Sequence, residues 1–543
     1  MGRRDFLLIA LVAAGLFALG ANLFTPLKWA PKDQGGEAYY RGGDFQQTVE
    51  SLDRFALAQW ENQHVAPASR AADLQIARRL SLALTGTSPS LEEVRKFESL
   101  PNEERLSWWV DHLLRDRRYA DFIAERWARA VVGTEDGPFL LYRRRRFVTW
   151  LADEFAKNVP YDIIVRELIA SSGIWTDHPA TNFITVTSRP DEKNQPDPVR
   201  LAGRATRAFL GIRLDCAQCH DHPFASWTQE QFEGFSAFFG QTQMGLTGIH
   251  DGAGDYRVED RKTRELRTVA PSVPFGNELL PAEGSRRSQL AAWITHPKNP
   301  YFARATVNRV WAILFGKPLV APIDNLEPNG PSGDKIPAFN QTILNLLATD
   351  FVSHQYDMQR LIRIIVSTRM FQLDSRIDRP VSETDEKLWA VFPLTRLRPE
   401  QVVGALVQSA SPSTIDASSH LFTRLIRFGQ QNDFIKQYGD SGDDEFDERS
   451  GTIPQRLVMM NGNLVHERTK PSPFNASTRI AMMASTDAKA IEVAYLSVLS
   501  RRPTTAEMDH FLAGFGEGTL TRAERLEDLY WTLLNSTEFS WNH

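Results

Sequence analysis

A chain of 543 residues, 42% apolar and 10% aromatic, is too long for one ordinary domain and has enough apolar side chains for sizeable cores. Its net charge of -5 gives no general basic footprint, which argues against nucleic acid as a partner. It holds only two cysteines, and both fall in one short stretch.

The N-terminus opens with a basic pair, Arg3 and Arg4, followed by an uncharged apolar run from Phe6 to Phe24. A run of that length is near the lower end of what spans a bilayer and longer than most signal-peptide cores. It reads as a targeting segment, with Arg3 and Arg4 staying cytoplasmic and everything after about Lys28 outside. Cleavage before Ala21 and retention as an anchor both fit, and "RRDFL" also fits a twin-arginine signal. Residues 1–36 are therefore expected to be a signal or anchor segment with its linker. The body of the protein is expected on the periplasmic or cell-surface side, touching the membrane through residues 6–24 if the segment is retained.

Beyond it the expected fold is mainly α, with two helical domains at 37–244 and 285–543 and an irregular linker at 245–284. Ser90 and Glu93 form a capping-box pattern just after a proline. Arg143 to Arg146 read as a solvated helix face, and Asp191, Glu192, Asp197, Arg200 and Arg204 as surface charge. Leu201, Ala205, Ala208 and Phe209 make an apolar stripe, with Gly211 where the helix can stop.

The stretch "DCAQCHDHPF", Asp215 to Phe224, then brings both thiols together three positions apart, with a histidine directly after the second. Outside the cytoplasm an unused thiol pair does not normally persist. Three chemistries fit: a disulfide, a metal site, or thioether attachment of haem c to Cys216 and Cys219 with His220 reaching the iron. Two cysteines cannot fill a four-cysteine zinc shell, but Asp221, His220 and His222 can complete a mixed site for a single divalent ion, with Asp215 in reach. A thioredoxin-type pair wants a strand before it and a helix opening at the first cysteine, and Pro223 opposes a helix running on past the motif. For a haem, the sixth iron position goes to Met244 in "GQTQMGL", the nearest methionine downstream, with His250 and His222 as rivals.

After the motif, Thr228 and Gln231 cap a helix carrying Phe232, Phe235 and Phe239, a stripe that serves as core or as cofactor wall. Between about Gly245 and Gly284 the periodicity lapses. Apolar stripes return at Ile343, Leu346, Leu347 and Phe351, at Leu361, Ile364 and Ile365, and at Leu526, Leu529, Tyr530, Leu533 and Leu534. Tyr438 to Gly451 reads as a solvated acidic loop, and Thr504 with Glu507 as another capping box. Met459, Met460, Met482 and Met483 are expected to fill core gaps.

The stretches "RRLSLALTG", "AERWARA", "YDIIVRELIA" and "CAQCHDHPF" with "AFF" behind it resemble the cytochrome-associated domain of unknown function found in planctomycete-type exported proteins. "ATVNRVWAILFGKPLV", "LRPEQVVGALV", "RRPTTAE" and "LLNSTEF" resemble its usual partner, a planctomycete surface-type domain. The resemblance implies export and this paired order, and assigns no biochemical role. The sequence departs from the commoner pattern just after Phe224, where "ASWTQEQ" stands.

Two function classes follow. One is an exported mono-haem redox protein passing electrons to a redox partner or an extracytoplasmic substrate. The other is a surface or scaffold module in which the cysteine–histidine segment is a structural disulfide or a mixed metal site. No G-x-S-x-G elbow, H-E-x-x-H pair or P-loop supports an ordinary hydrolase.

Overall fold

The computed structural model describes residues 40, 42–134, 142–188, 195–222, 225–259, 264–326, 336–411, 413–416, 433–439, 446, 451–516 and 519–543. The fold is mainly α. Among the described residues, the helices of seven residues or more in the first half are α1 Gly43–Asn62, α2 Asp73–Thr85, α3 Leu91–Glu98, α4 Asn102–Arg115, α5 Arg117–Val132, α6 Arg144–Ala156, α7 Tyr161–Ala170, α8 Pro198–Ala205 and α9 Gln229–Ser236. They continue as α10 Arg286–Ile294, α11 Phe302–Phe315, α12 Ala338–Ser353, α13 Met358–Ser367 and α14 Pro399–Ser409. The series ends with α15 Ile453–Asn461, α16 Asn463–Thr469, α17 Ala476–Met483, α18 Asp487–Leu499, α19 Thr505–Gly516 and α20 Arg522–Leu534. None of the described helices is long and apolar enough to cross a membrane; the Phe6–Phe24 run lies outside the described residues.

Two apolar cores organise these helices. The first gathers side chains from Phe45 to Phe392, and the second from Leu397 to Phe539 together with Leu82 of α2. Helix α2 belongs to both, which is why every residue from Ile76 to Thr85 is buried. Two of those residues are arginines, and each donates to backbone oxygens. Arg78 donates to the carbonyls of Val498 and Phe539, and Arg79 to those of Phe371, Leu373 and His543. A buried guanidinium with its donors placed this way pins loops from distant parts of the chain onto one helix.

The stretch 245–284, expected as irregular connection, carries two antiparallel strand pairs: β1 Thr242–Gly245 with β2 Gly248–Asp251, and β3 Tyr256–Glu259 with β4 Leu266–Val269. The first is held in place by Arg287 of α10, fully buried, which donates to Asp251 at 2.6 Å and to the carbonyls of Ile169 and Ser171. Strands this short and rich in glycine and charge give no period-2 signal. A third pair, β5 Thr395–Arg396 with β6 Trp541–Asn542, ties the segment between the two cores to residues 541–542.

Other expectations also meet their packing here. The capping boxes at Ser90, Thr228 and Thr504 form, and the stripes at 343–351, 361–365 and 526–534 face the cores. Met459 is buried, but Met460, Met482 and Met483 are exposed by 39%, 78% and 82%. Helix α17 buries Ala476, Ser477 and Ile480, and Met482 and Met483 lie off that face. Asp197 is buried rather than surface charge, because its carboxylate caps α8 by accepting from the N–H groups of Val199 and Arg200. Arg144 folds down onto Glu125, while Arg145 and Arg146 stay exposed. Asp191, Glu192, Pro223, Phe224 and most of the Tyr438–Gly451 loop lie outside the described residues.

Candidate functional site

The approach to the cysteine motif is set by α8. It runs into a wider π turn, Thr206–Leu210, and stops at Gly211, whose φ of 62° is the left-handed conformation that ends helices. A 3₁₀ turn, Leu214–Ala217, then carries the first cysteine, with Leu214 and Ala217 turned into the core and Cys216 outward. No strand leads into the motif and no α-helix opens at Cys216, so the thioredoxin arrangement is absent.

Beneath this turn lies a charged clamp. Arg207 donates to both carboxylate oxygens of Asp215, at 3.0 and 3.1 Å, and to Asp324 at 2.9 Å. Arg213 also donates to Asp324, at 2.7 Å. Close packing adds to this, since a Cβ on Gly203 of α8 would sit 3.1 Å from that of Asp215. The base of the loop is thereby fixed on α8 and on the segment after α11.

Both thiols are exposed and are not joined in a disulfide. Partial burial, and then the neighbouring Asp215 carboxylate, push the Cys216 thiol up from its ordinary range. It is therefore a thiol rather than a thiolate nucleophile at neutral pH.

The two histidines of the motif differ in a way that bears on ligation. The ring Nδ1 of exposed His220 lies 2.7 Å from the carbonyl oxygen of Asp221. A carbonyl can only accept, so Nδ1 carries the proton and Nε2 of the neutral ring keeps its lone pair. Iron- or zinc-bound histidines are oriented in this manner. His222 is the reverse, because its Nδ1 accepts the N–H of Ala225 at 3.0 Å, which leaves the proton on Nε2. Partial burial lowers its pKa, with His220 adding to this and the Asp215 carboxylate opposing it, and so favours that neutral form. The remainder of the loop closes through Asp221, which accepts the N–H of Gln229 at the start of α9.

Met244 sits on β1, half-buried, with its backbone bonded to the side chain of Gln195 by a pair of hydrogen bonds at 2.9 and 3.1 Å. His250 on β2 turns its Nδ1 toward Gly248. Phe232, Phe235 and Phe239 are all fully buried in the first core, so the stripe serves as core.

Groups of three metal-donor residues with atoms within 4.8 Å of one another occur at two places among the described residues: Asp44, Asp350 and His354, and Glu93, His112 and Asp116. His220, Asp221 and His222 do not form such a group. Each group that does form already contains an arginine. Arg360 donates to Asp44 and Asp350, and Arg118 to Glu93 and Asp116. These are ion-pair networks with their cation in place.

The motif lies inside one of two family matches. Residues 51–244 match PSCyt2, described as a protein of unknown function (DUF1549), and residues 286–420 match PSD1, likewise a protein of unknown function (DUF1553). The chain carries these two domains, in this order. No curated protein and no solved structure matches it. The matches divide the chain between 244 and 286, whereas the packing divides between Phe392 and Leu397.

A cavity of about 950 Å³ opens at the seam between the cores, beside the β5–β6 pair, and the sequence reading missed it. One signal was present: the extended "TRLRP" places Arg396 and Arg398 on the same side by period-2 alternation. That side becomes a cavity wall only when residues 541–542 pair with it.

Proposed function

We propose that this protein is an exported electron-transfer protein in which Cys216 and Cys219 hold haem c through thioethers and His220 supplies an iron ligand. The observation that carries this reading is the exposed His220 ring, anchored through Nδ1 on the Asp221 carbonyl so that Nε2 faces away from it, beside two exposed thiols. When bound, the group supplies a one-electron redox couple. The protein's own part is to fix the attachment loop, through the Arg207–Asp215–Asp324 clamp below it and the Asp221–Gln229 closure above. Export is part of the proposal and rests on the basic pair followed by the apolar run Phe6–Phe24.

The full chain, produced in a host competent in haem attachment and then denatured, should keep one haem per chain in a haemochrome spectrum. Cys216→Ser with Cys219→Ser should abolish it. A colourless mature protein with two titratable thiols would sink the reading and leave the scaffold alternative. For export, replacing Arg3 and Arg4 by lysine keeps the charge and removes the twin-arginine signal. Normal export of that variant is expected, since haem of this type joins an unfolded chain outside the cytoplasm. A block would point to a cofactor loaded before translocation.

A further inference from the structure

The cavity at the β5–β6 seam is far along the chain from the cysteine loop, and none of its lining residues falls between 200 and 250. Its volume is that of a small-molecule site. Its wall combines two kinds of surface. Trp389, Phe392, Tyr438, Phe446 and Trp541 supply aromatic area, and Arg396 and Arg398 supply positive charge, the latter stacked on the Phe446 ring at 4.5 Å.

Arg396 is the informative residue. Its guanidinium donates to the Tyr438 hydroxyl at 3.1 Å and lies 5.9 Å from that ring's centre, and among the described residues it pairs with no carboxylate. Most arginines around the two cores are used otherwise, as Arg118, Arg360 and Arg501 show with their paired acids. The Arg396 backbone is fixed by pairing with Trp541, so the cation is held in position before anything binds. Planar guanidinium donors match a carboxylate, phosphate or sulfonate. Also on the lining, Lys317 and Glu386 stand 3.8 Å apart, at the outer limit of an ion pair.

We propose that this cavity is a binding site for an organic anion with a flat, apolar ring body, whose anionic group pairs with Arg396 and whose rings lie among the tryptophan, tyrosine and phenylalanine side chains. The site draws on both cores and on β6, so occupancy should tie them together. It is independent of the cysteine loop and of the haem reading.

The test is a fluorescence titration of the full chain with 8-anilinonaphthalene-1-sulfonate, a two-ring anion of this chemistry. Expected are saturation at one probe per chain, weaker binding as salt rises, and at least a tenfold loss of affinity in Arg396→Gln. The uncharged relative N-phenyl-1-naphthylamine, titrated against the unaltered chain, should bind at least tenfold more weakly, which decides the matter even if the variant misfolds. Non-saturating binding, or equal affinity for the charged and uncharged probes, would overturn the proposal.

Discussion

The guanidinium of Arg79 lies 3.7 Å from the ring centre of Phe392, stacked on the residue where the first core ends, while its nitrogens reach the carbonyls of Phe371, Leu373 and His543. One side chain thus fastens the middle of the protein to residue 543. Arg79→Ala would leave those buried oxygens without donors and open a void beside Phe392. The expected loss is about 4 kcal/mol, read from the midpoint of chemical denaturation. A loss under about 1 kcal/mol would mean that water replaces the guanidinium.

At the seam, Gly404 of α14 crosses the end of α2. A Cβ there would lie 2.0 Å from the carbonyl oxygen of Gly86, a backbone atom that cannot step aside. Gly404→Ala should therefore cost about 2 kcal/mol or more. Gly514→Ala on α19 is the control: nothing lies within 4 Å of the added methyl, so it should be neutral or stabilising by about 0.5 kcal/mol. Thermal melts of the two variants compare them directly.

Glu93 sets an acid limit. Burial disfavours its charge, but the hydrogen bond from His112, the Arg118 guanidinium and the Ser90 N–H outweigh it and hold the carboxyl at about 2. Between the ordinary 4.5 and that value the unfolded chain binds the proton and the folded one does not. Stability from this group is therefore complete above pH 4.5 and disappears as pH falls to 2, to the extent of roughly 3 kcal/mol. Glu93→Gln should flatten the pH dependence of stability in that window while lowering stability at pH 7. An unchanged acid slope would count against this account.

On the proposed attachment, His220 and His222 should separate cleanly. His220→Ala should keep the covalent haem but shift its Soret band, because the ring with the open Nε2 is gone. His222→Ala should leave the band in place and loosen only the turn that Ala225 and Trp227 close onto it. A band that moves only in His222→Ala would exchange their roles.

Local signals were legible in the sequence because they need only neighbours. The Ser90–Glu93, Thr228–Gln231 and Thr504–Glu507 boxes join residues three positions apart, and the Leu526–Leu534 stripe needs only helical period and one apolar surface. The cysteine loop was placed between two helices for the same reason. What stayed hidden depends on distant partners. Arg78 and Arg79 are buried only because carbonyls over 290 positions away meet them. The Arg207–Asp324 contact spans 117 positions, and the cavity wall at Trp541 also depends on a partner far away in sequence. Met460, Met482 and Met483 failed as core residues because composition alone does not say which side of a helix is covered.

The contact from Arg79 to His543 spans 464 positions, and that from Arg78 to Phe539 spans 461. Neither can form until residues 539–543 have been delivered, by the ribosome or through an export channel. Closing loops of that length is slow, and α2 must wait with two cationic, otherwise apolar faces uncovered. The order of events follows from this one helix. The first core can gather early with α2's share of it, but Leu82 and the arginine contacts to residues 498–543 are completed only when those residues have arrived. The second core is thus the last to close, and α2 is the element on which that closing waits.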